Sequence, residues 1–248
     1  DDQHGTAIIV AAALLNALEI QGKNPSKVKV VCAGGGSAGI ATLNLLEEIG
    51  IKRENMLLVD RNGVVSKNRK IKVNKYKASF EIETDKKTLS DAMDGADVFI
   101  GVARGDLVSK KMVKSMADKP IIFALSNPDP EISPSDVYDC RDDALMATGR
   151  SDYPNQVNNV LGFPYIFRGA LDANAKIINT EMKIAAVHAL KDLTKLPVPK
   201  SLLDIYQIKK LSFGKDYFIP KPFDPRLIEL VPKAIFDAAV KSGVSRLK

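Results

Sequence analysis

A glycine-rich turn constrains this chain more than any other feature. The apolar run from Val30 to Ala33 leads into Gly34, Gly36 and Gly39, which have the spacing G-x-G-x-x-G and open a helix-like stretch. In such a unit, the first glycine allows a tight turn, the second lets the backbone approach a pyrophosphate, and the third lets helix and strand pack closely. The helix N-terminus favours the phosphates. The pattern predicts a dinucleotide-binding segment formed by Gly34, Gly35, Gly36, Ser37, Ala38 and Gly39.

An acid follows this turn at the distance expected for a ribose-binding residue. The next apolar run begins at Met56 and ends at Asp60, where an acid typically accepts a hydrogen bond from the ribose 2′-hydroxyl of NAD. Arg61 follows directly, and the next loop adds Lys67, Arg69 and Lys70. Such cations pair with the 2′-phosphate of NADP, although a solvated basic loop has the same composition. The residues leave NAD and NADP open.

The same turn fits a second motif. Residues 35–39 also match G-x-S-x-G, the nucleophile elbow of α/β-hydrolases, with Ser37 as nucleophile and His188 downstream. Few residues precede the turn, so the oxyanion-hole loop and earlier strands of a hydrolase have no place, and Asp60 has no role. The hydrolase therefore stands as the less favoured interpretation.

Composition narrows the class of protein. The chain has 248 residues, is 45% hydrophobic and carries a net charge of +6, which suits a folded domain that attracts small anions. The basic residues are mixed with acids, so we expect no nucleic-acid partner. No apolar run approaches membrane-spanning length, and we expect no membrane partner. Cys32 and Cys140 are isolated, which favours reduced thiols and a cytoplasmic protein.

Strand-like and helix-like patterns alternate through the first 150 residues. Predicted strands cover residues 28–33, 56–59, 98–102, 121–125 and 145–147, with helices between them. After Arg150, helical spacing predicts a long helix through residues 178–193 and a last helix at 226–241. The pattern predicts an α/β fold, a Rossmann-like doubly wound mostly parallel sheet with additional C-terminal helices. Residues 1–248 form one domain in this interpretation, with 150–248 as its helical part.

The chain resembles the malic enzymes over essentially its whole length. The resemblance rests on the glycine turn and on three further segments, DDQHGT at the start, FALSNP at residues 123–128 and ATGRSDYPNQVNN at residues 147–159. The opening and the later stretch LSFGKDYFIPKPFDPRL are most similar to the bacterial hybrid type, in which a phosphotransacetylase-like domain follows. The chain would then be the nucleotide-binding domain alone, without the family's N-terminal catalytic domain.

The resemblance implies oxidative decarboxylation of malate to pyruvate and CO2, with Mg or Mn and with NADP preferred over NAD. It also implies that Asp2 ligates the metal and that Asp1 supports the catalytic lysine. Without the resemblance, two acids before a helix are more simply N-terminal charges that suit the helix dipole.

Three asparagines complete the implied site. Asn127 matches a family residue that contacts substrate and nicotinamide, and Asn158 and Asn159 match substrate-binding residues. Asn127 before a proline is also typical of an Asx turn. The family's catalytic tyrosine, catalytic lysine and substrate-binding arginine have no match here, so we expect the isolated chain to be largely inactive. A non-catalytic nucleotide-binding module is the alternative. The family also implies a homo-oligomer.

Overall fold

A six-stranded sheet organises the computed structural model, which describes residues 2–247. Within those residues the strands follow the order β3-β2-β1-β4-β5-β6, and every neighbouring pair is parallel except β2 and β3. The strands are β1 (Val30–Ala33), β2 (Met56–Asp60), β3 (Gly63–Val64), β4 (Val98–Gly101), β5 (Ile121–Ala124) and β6 (Leu145–Thr148). The predicted mostly parallel sheet is confirmed.

Ten α-helices accompany these strands in the described part of the chain. They are α1 (His4–Gln21), α2 (Ser37–Glu48), α3 (Lys75–Ala78), α4 (Leu89–Met93), α5 (Lys110–Lys114), α6 (Pro134–Tyr138), α7 (Phe163–Asp172), α8 (Thr180–Leu193), α9 (Lys200–Ile205) and α10 (Leu227–Lys241). Two 3₁₀ helices lie at Arg53–Asn55 and Asn159–Leu161.

Each face of the sheet is buried by its own set of helices. Alternate strand residues point to opposite faces, so Val30 and Cys32 join one apolar cluster while Val31 and Ala33 join another. The first cluster includes residues of α1, α2, α7, α8 and α10, and the second includes residues of α4, α5 and α6. The strands β1, β4 and β5 in the middle of the sheet are therefore without polar side chains, as is typical of strands covered on both faces.

Helix α1 lies in the middle of the first cluster. It is 18 residues long and apolar enough to cross a membrane by length and composition, but 67% of that stretch is buried inside the fold. The expectation that no apolar run approaches spanning length is thus wrong for α1. Its all-round apolar surface is explained by packing against α2, α8 and strand β5.

The additional C-terminal helices pack on the same core. Helix α10 packs against both α7 and α8, and α8 also packs against α1. The side chain of Asn179 caps the N-terminus of α8 by accepting a hydrogen bond from the backbone N–H of Met182 at 3.0 Å. Local patterning did not predict α7, where Gly162 and Pro164 interrupt the run, or the two-residue strand β3.

The chain order opens a crevice at the carboxyl edge of the sheet. From β1, the chain passes through α2 to β2 on one side, whereas β4 and β5 continue on the other side. The loops after β1 and β4 therefore diverge, and such a switch point is where open α/β sheets bind ligands.

Candidate functional site

The glycine turn has a separate steric reason for each of its three spaced glycines. Gly34 has a φ of +131°, and a Cβ there would lie 2.7 Å from the carbonyl oxygen of Val102. A Cβ on Gly39 would lie 1.9 Å from the carbonyl oxygen of Gly34, so α2 can approach β1 only without one. At Gly36, which precedes α2, a Cβ would meet no atom within 4 Å. Open space thus adjoins the free N–H groups of the α2 N-terminus, and a phosphate fits there.

Two cavities flank this turn. The larger has a volume of about 1080 Å³ and the smaller about 380 Å³, and Ala103 lines both. The larger cavity is lined mainly by the glycine turn, the end of β2 and several basic residues, among them Gly34, Gly35, Gly36, Asp60, Arg61, Lys77 and Arg104. The smaller cavity is lined mainly by small and amide side chains, including Asp2, Thr6, Ala38, Ser126, Asn127, Asn158 and Asn159.

Asp60 lies in the larger cavity, but its carboxylate is already saturated. Oδ1 accepts from Arg69 at 3.1 Å and from the backbone N–H of Asn62 at 2.9 Å, while Oδ2 accepts from Arg69 at 3.2 Å and from Lys77 at 2.8 Å. Four donors occupy the roughly four acceptor positions of a carboxylate. Burial opposes ionisation of Asp60, but the hydrogen bonds from Arg69, Lys77 and Asn62 outweigh it and lower its pKa to about 2.

Lys77 is a cation of the larger cavity that sequence reasoning missed. Its side chain lies across Gly35, because a Cβ there would be 2.7 Å from Lys77 Cε. The missing side chain of Gly35 therefore gives Lys77 its path to Asp60. The only sequence signal was a lysine-rich stretch without periodicity, in which several lysines were equivalent candidates.

The other predicted cations take different positions. Arg61 is exposed, lines the larger cavity and forms no ion pair within residues 2–247. Lys67 instead pairs with Glu83 at 3.3 Å and does not line the cavity. Arg69 lies behind Asp60, with its side chain 11% exposed. The charge that faces the larger cavity therefore comes from Arg61 and Lys77 more than from Lys67.

Asn127 is the most available polar group of the smaller cavity. It follows β5, is exposed, and no described protein group hydrogen-bonds its amide. The alternative of an Asx turn is therefore not seen. Gly149 makes room for this side chain, since a Cβ there would lie 3.0 Å from Asn127 Nδ2. The amide is free to donate to and accept from a bound molecule.

The asparagine pair lies in the same cavity, with its amides partly used. Asn158 Oδ1 accepts from the backbone N–H of Val160 at 3.0 Å and so begins a 3₁₀ helix. Asn159 accepts from the Thr6 hydroxyl at 3.0 Å and donates to Asp2 Oδ1 at 3.2 Å. Asn159 thus orients Asp2, while the Nδ2 group of Asn158 has no partner among the described residues.

The residues around Asp2 do not make a metal site by themselves. Residues 2–247 contain no group of three His, Cys, Asp or Glu side chains that could hold an ion. Mg and Mn require several oxygen ligands, and Asp2 contributes one carboxylate. The predicted role of Asp1 lies outside the described residues.

Comparison with known proteins identifies the family. The malic enzyme NAD binding domain matches residues 3–214 of this chain. The chain belongs to the malic enzymes. A relative from Halomonas elongata, named NADP-dependent malic enzyme, is 55% identical over 99% of this chain and 58% of its own length. A Rhizobium meliloti protein named NAD-dependent malic enzyme is 48% identical over 99% of this chain and 32% of its own length.

A solved malic enzyme has the same fold. The crystal structure from Pyrococcus horikoshii superposes with a TM-score of 0.87 at 35% identity, covering 100% of this chain and 56% of that one. The chain thus spans between a third and somewhat over half of the malic enzymes it matches.

Family membership also removes the hydrolase interpretation, and the geometry agrees. Ser37 is the first residue of α2 and is exposed, and His188 is exposed on α8. Neither side chain forms a hydrogen bond in the described part of the chain, so no activated nucleophile is assembled. Arg150 and Asp152 form an ion pair at 2.8 Å.

Proposed function

We propose that this chain is the nucleotide-binding part of an NADP-preferring malic enzyme that converts malate, with NADP as hydride acceptor, to pyruvate and CO2. Family membership and the names of the relatives support the reaction. The observation that carries the proposal is the pair of cavities that flank the glycine turn and share Ala103. One cavity suits the adenosine half of a dinucleotide, and the other suits nicotinamide and a small dicarboxylic acid.

The state of Asp60 supports NADP over NAD. An acid that binds a ribose 2′-hydroxyl needs a free acceptor oxygen, whereas the Asp60 oxygens already accept from Arg69, Lys77 and Asn62. Together with Arg61, these groups leave the larger cavity positively charged. A 2′-phosphate gains charge-assisted hydrogen bonds there. Asp60 then acts by holding Lys77 and Arg69 in place.

The smaller cavity supports the chemistry at malate. Removal of the C2 hydride and the hydroxyl proton leaves a β-keto acid, and loss of CO2 then moves an electron pair toward the C2 oxygen. The amides of Asn127 and Asn158 are neutral donors and acceptors, which suit the nicotinamide carboxamide and a malate carboxylate. Their role in this proposal is to bind and orient both reactants, which lowers the entropic cost of hydride transfer.

Further groups must come from the longer polypeptide. Among the described residues lining the smaller cavity there is no Lys, Tyr, His or Arg, so a general acid and base are not supplied. When bound, a divalent cation would polarise the C2 oxygen, and Asp2 would be one of its ligands. We propose that an N-terminal catalytic domain supplies the remaining ligands and the acid–base pair. The isolated chain would then show little turnover.

The test is an assay of the full-length protein with L-malate and Mn²⁺, giving NADP and NAD in separate reactions and measuring reduced nucleotide and pyruvate together. Pyruvate equal to NADPH, with slower NAD reduction, supports the proposal. Reduced nucleotide without pyruvate contradicts decarboxylation. Binding of NADPH without either product favours a non-catalytic nucleotide-binding module.

The cytoplasmic location, the homo-oligomeric state and the lack of nucleic-acid or membrane partners stay predictions from the sequence.

A further inference from the structure

A fully buried acid lies beneath the smaller cavity. Glu131 is 0% exposed and follows β5 by seven residues. Its Oε1 accepts from the backbone N–H of Ala103 at 3.0 Å and from the Ser126 hydroxyl at 2.7 Å. Its Oε2 accepts from the backbone N–H of Ser126 at 3.1 Å. No cation pairs with it in residues 2–247, so its carboxylate is supported by two backbone amides and one hydroxyl.

The absence of a side chain at Gly101 leaves the space that the Glu131 carboxylate occupies. A Cβ on Gly101, the last residue of β4, would lie 2.3 Å from the Glu131 carboxyl carbon. Burying an unpaired carboxylate is costly unless hydrogen bonds compensate for the lost water. An apolar side chain would avoid that cost, so the position of Glu131 calls for a reason other than core packing.

The groups that Glu131 binds belong to two different loops of the site. Ala103 follows β4 and lines both cavities, and Ser126 follows β5 and lines the smaller one. The backbone of Glu131 adds a further link, since its carbonyl accepts from Val108 N–H at 2.9 Å. Glu131 thus connects the loop after β4 to the loop after β5. Its partner in the second loop, Ser126, directly precedes Asn127.

We propose that Glu131 is a positioning residue, which sets the separation of the β4 and β5 loops and thereby aims the Asn127 amide at the nicotinamide and substrate. This inference rests on the proposed function. Glu131 does not touch the reactants. It acts through Ser126, whose N–H and hydroxyl it holds, and the adjoining Asn127.

The decisive experiment is a double-mutant cycle in the full-length enzyme, using Glu131→Gln and Asn127→Ala. Glutamine keeps the size of Glu131, but when its oxygen accepts from Ala103 and the Ser126 hydroxyl, its NH2 group faces the Ser126 N–H. The loop must then shift. We expect Glu131→Gln to lower kcat about 10- to 100-fold, in the range of losing one or two buried hydrogen bonds.

The same change should leave the adenosine half of the site nearly intact. The affinity for 2′,5′-ADP, which reports the larger cavity, should change by less than about threefold. If Glu131 acts through Asn127, adding Glu131→Gln to Asn127→Ala should lower kcat by about twofold or less. Multiplicative effects of the two changes, or an unchanged kcat in Glu131→Gln, would overturn the inference.

Asp143→Asn is the matched control. Asp143 is also a loop-bridging acid, which accepts from Arg141 at 2.8 Å and from the backbone N–H of Lys119 at 2.7 Å, but it lies before β6 at the opposite edge of the sheet. Its effect should multiply with that of Asn127→Ala. If Glu131→Gln does not fold, Ser126→Ala removes one of the same hydrogen bonds and is measured in the same cycle.

Wild-type turnover of malate separates the two proposals. If the wild type produces no pyruvate, the proposed function fails. The quantity measured for each variant of the double-mutant cycle is then the ratio of NADPH affinity to 2′,5′-ADP affinity, which reports the nicotinamide half of the site. Non-additive loss of that ratio supports Glu131 as a positioning residue, and additive loss overturns it.

Discussion

The two cavities beside the glycine turn differ in how far their polar groups satisfy one another. In the larger cavity, Asp60 is held by Arg69 and Lys77 in a half-buried ion-pair network. In the smaller, the Asn127 amide and one group of Asn158 have no partner in the described residues. The Asp60 carboxylate of the larger cavity is therefore satisfied within this chain. In the proposed function, the free amides and the single carboxylate of the smaller cavity are complemented by groups of the longer polypeptide.

The largest effect should follow a change at the turn that both cavities share. Gly39→Ala would place a methyl group 1.9 Å from the carbonyl oxygen of Gly34, so α2 must move away from β1. We expect a loss of roughly 1–3 kcal/mol in the free energy of unfolding and a fall of about 100-fold or more in NADPH affinity, because the helix N-terminus leaves the phosphates. Urea unfolding and NADPH fluorescence titration of the full-length protein measure both.

Gly36→Ala is the control for that change. A Cβ at Gly36 meets no atom within 4 Å, so stability should be nearly unchanged while the methyl group obstructs the phosphates. Equal destabilisation by the two substitutions would contradict the separate steric roles.

Lys77→Ala should weaken binding in the larger cavity and leave the smaller cavity unaffected. Removing a charge-assisted hydrogen bond to the 2′-phosphate should weaken NADPH binding about 30- to 100-fold, while NADH binding changes by less than about threefold. Lys67→Ala is the matched control, because Lys67 pairs with Glu83 outside the cavity, and its effect should stay below about twofold. Equal losses for NADPH and NADH in Lys77→Ala would remove the assignment to NADP.

Asn127→Ala should affect the smaller cavity alone. We expect kcat with malate to fall about 10-fold, since one or two hydrogen bonds to the reactants are lost. The affinity for 2′,5′-ADP should be unchanged, because Asn127 does not line the larger cavity. A parallel fall in 2′,5′-ADP affinity would mean that the two cavities are not independent.

The smallest predicted effect is the pH dependence of the unfolding free energy that the ionised Asp60 contributes. Its folded pKa of about 2 lies below the ordinary value of 3.8, so the stability that the ionised acid contributes is present above about pH 4 and is lost as the pH falls toward 2. The difference in unfolding free energy between wild type and Asp60→Asn should be constant from about pH 5 to pH 8 and shrink below pH 4. A difference that grows on acidification would contradict the network.

The sequence predicted the features that local pattern controls. The strands β1, β2, β4, β5 and β6 are apolar runs bounded by turn residues, and the glycine spacing locates the turn between β1 and α2. Asp60 was found by its distance from that turn. The role of Asp60 could not be predicted, because the cations that pair with it come from an aperiodic loop whose path depends on tertiary contacts.

Two residues show this limit most clearly. Lys77 is one lysine among several, and only the three-dimensional path across Gly35 distinguishes it. Glu131 looks like an ordinary loop acid, and only its burial beneath Ala103 and Ser126 reveals a link between two loops. Both depend on contacts between segments that are distant from the glycine turn in sequence, which motifs and periodicity do not report.

The measurement that tests this account most directly is the affinity of the full-length protein for 2′,5′-ADP and for 5′-AMP, two fragments that enter the larger cavity and differ in the 2′-phosphate. A saturated Asp60 beside Lys77 and Arg61 predicts that 2′,5′-ADP binds at least about 10-fold more tightly, and that Lys77→Ala removes most of this preference. Equal binding of the two fragments, or a preference for 5′-AMP, would show that Asp60 is available to the ribose hydroxyl and would contradict the account.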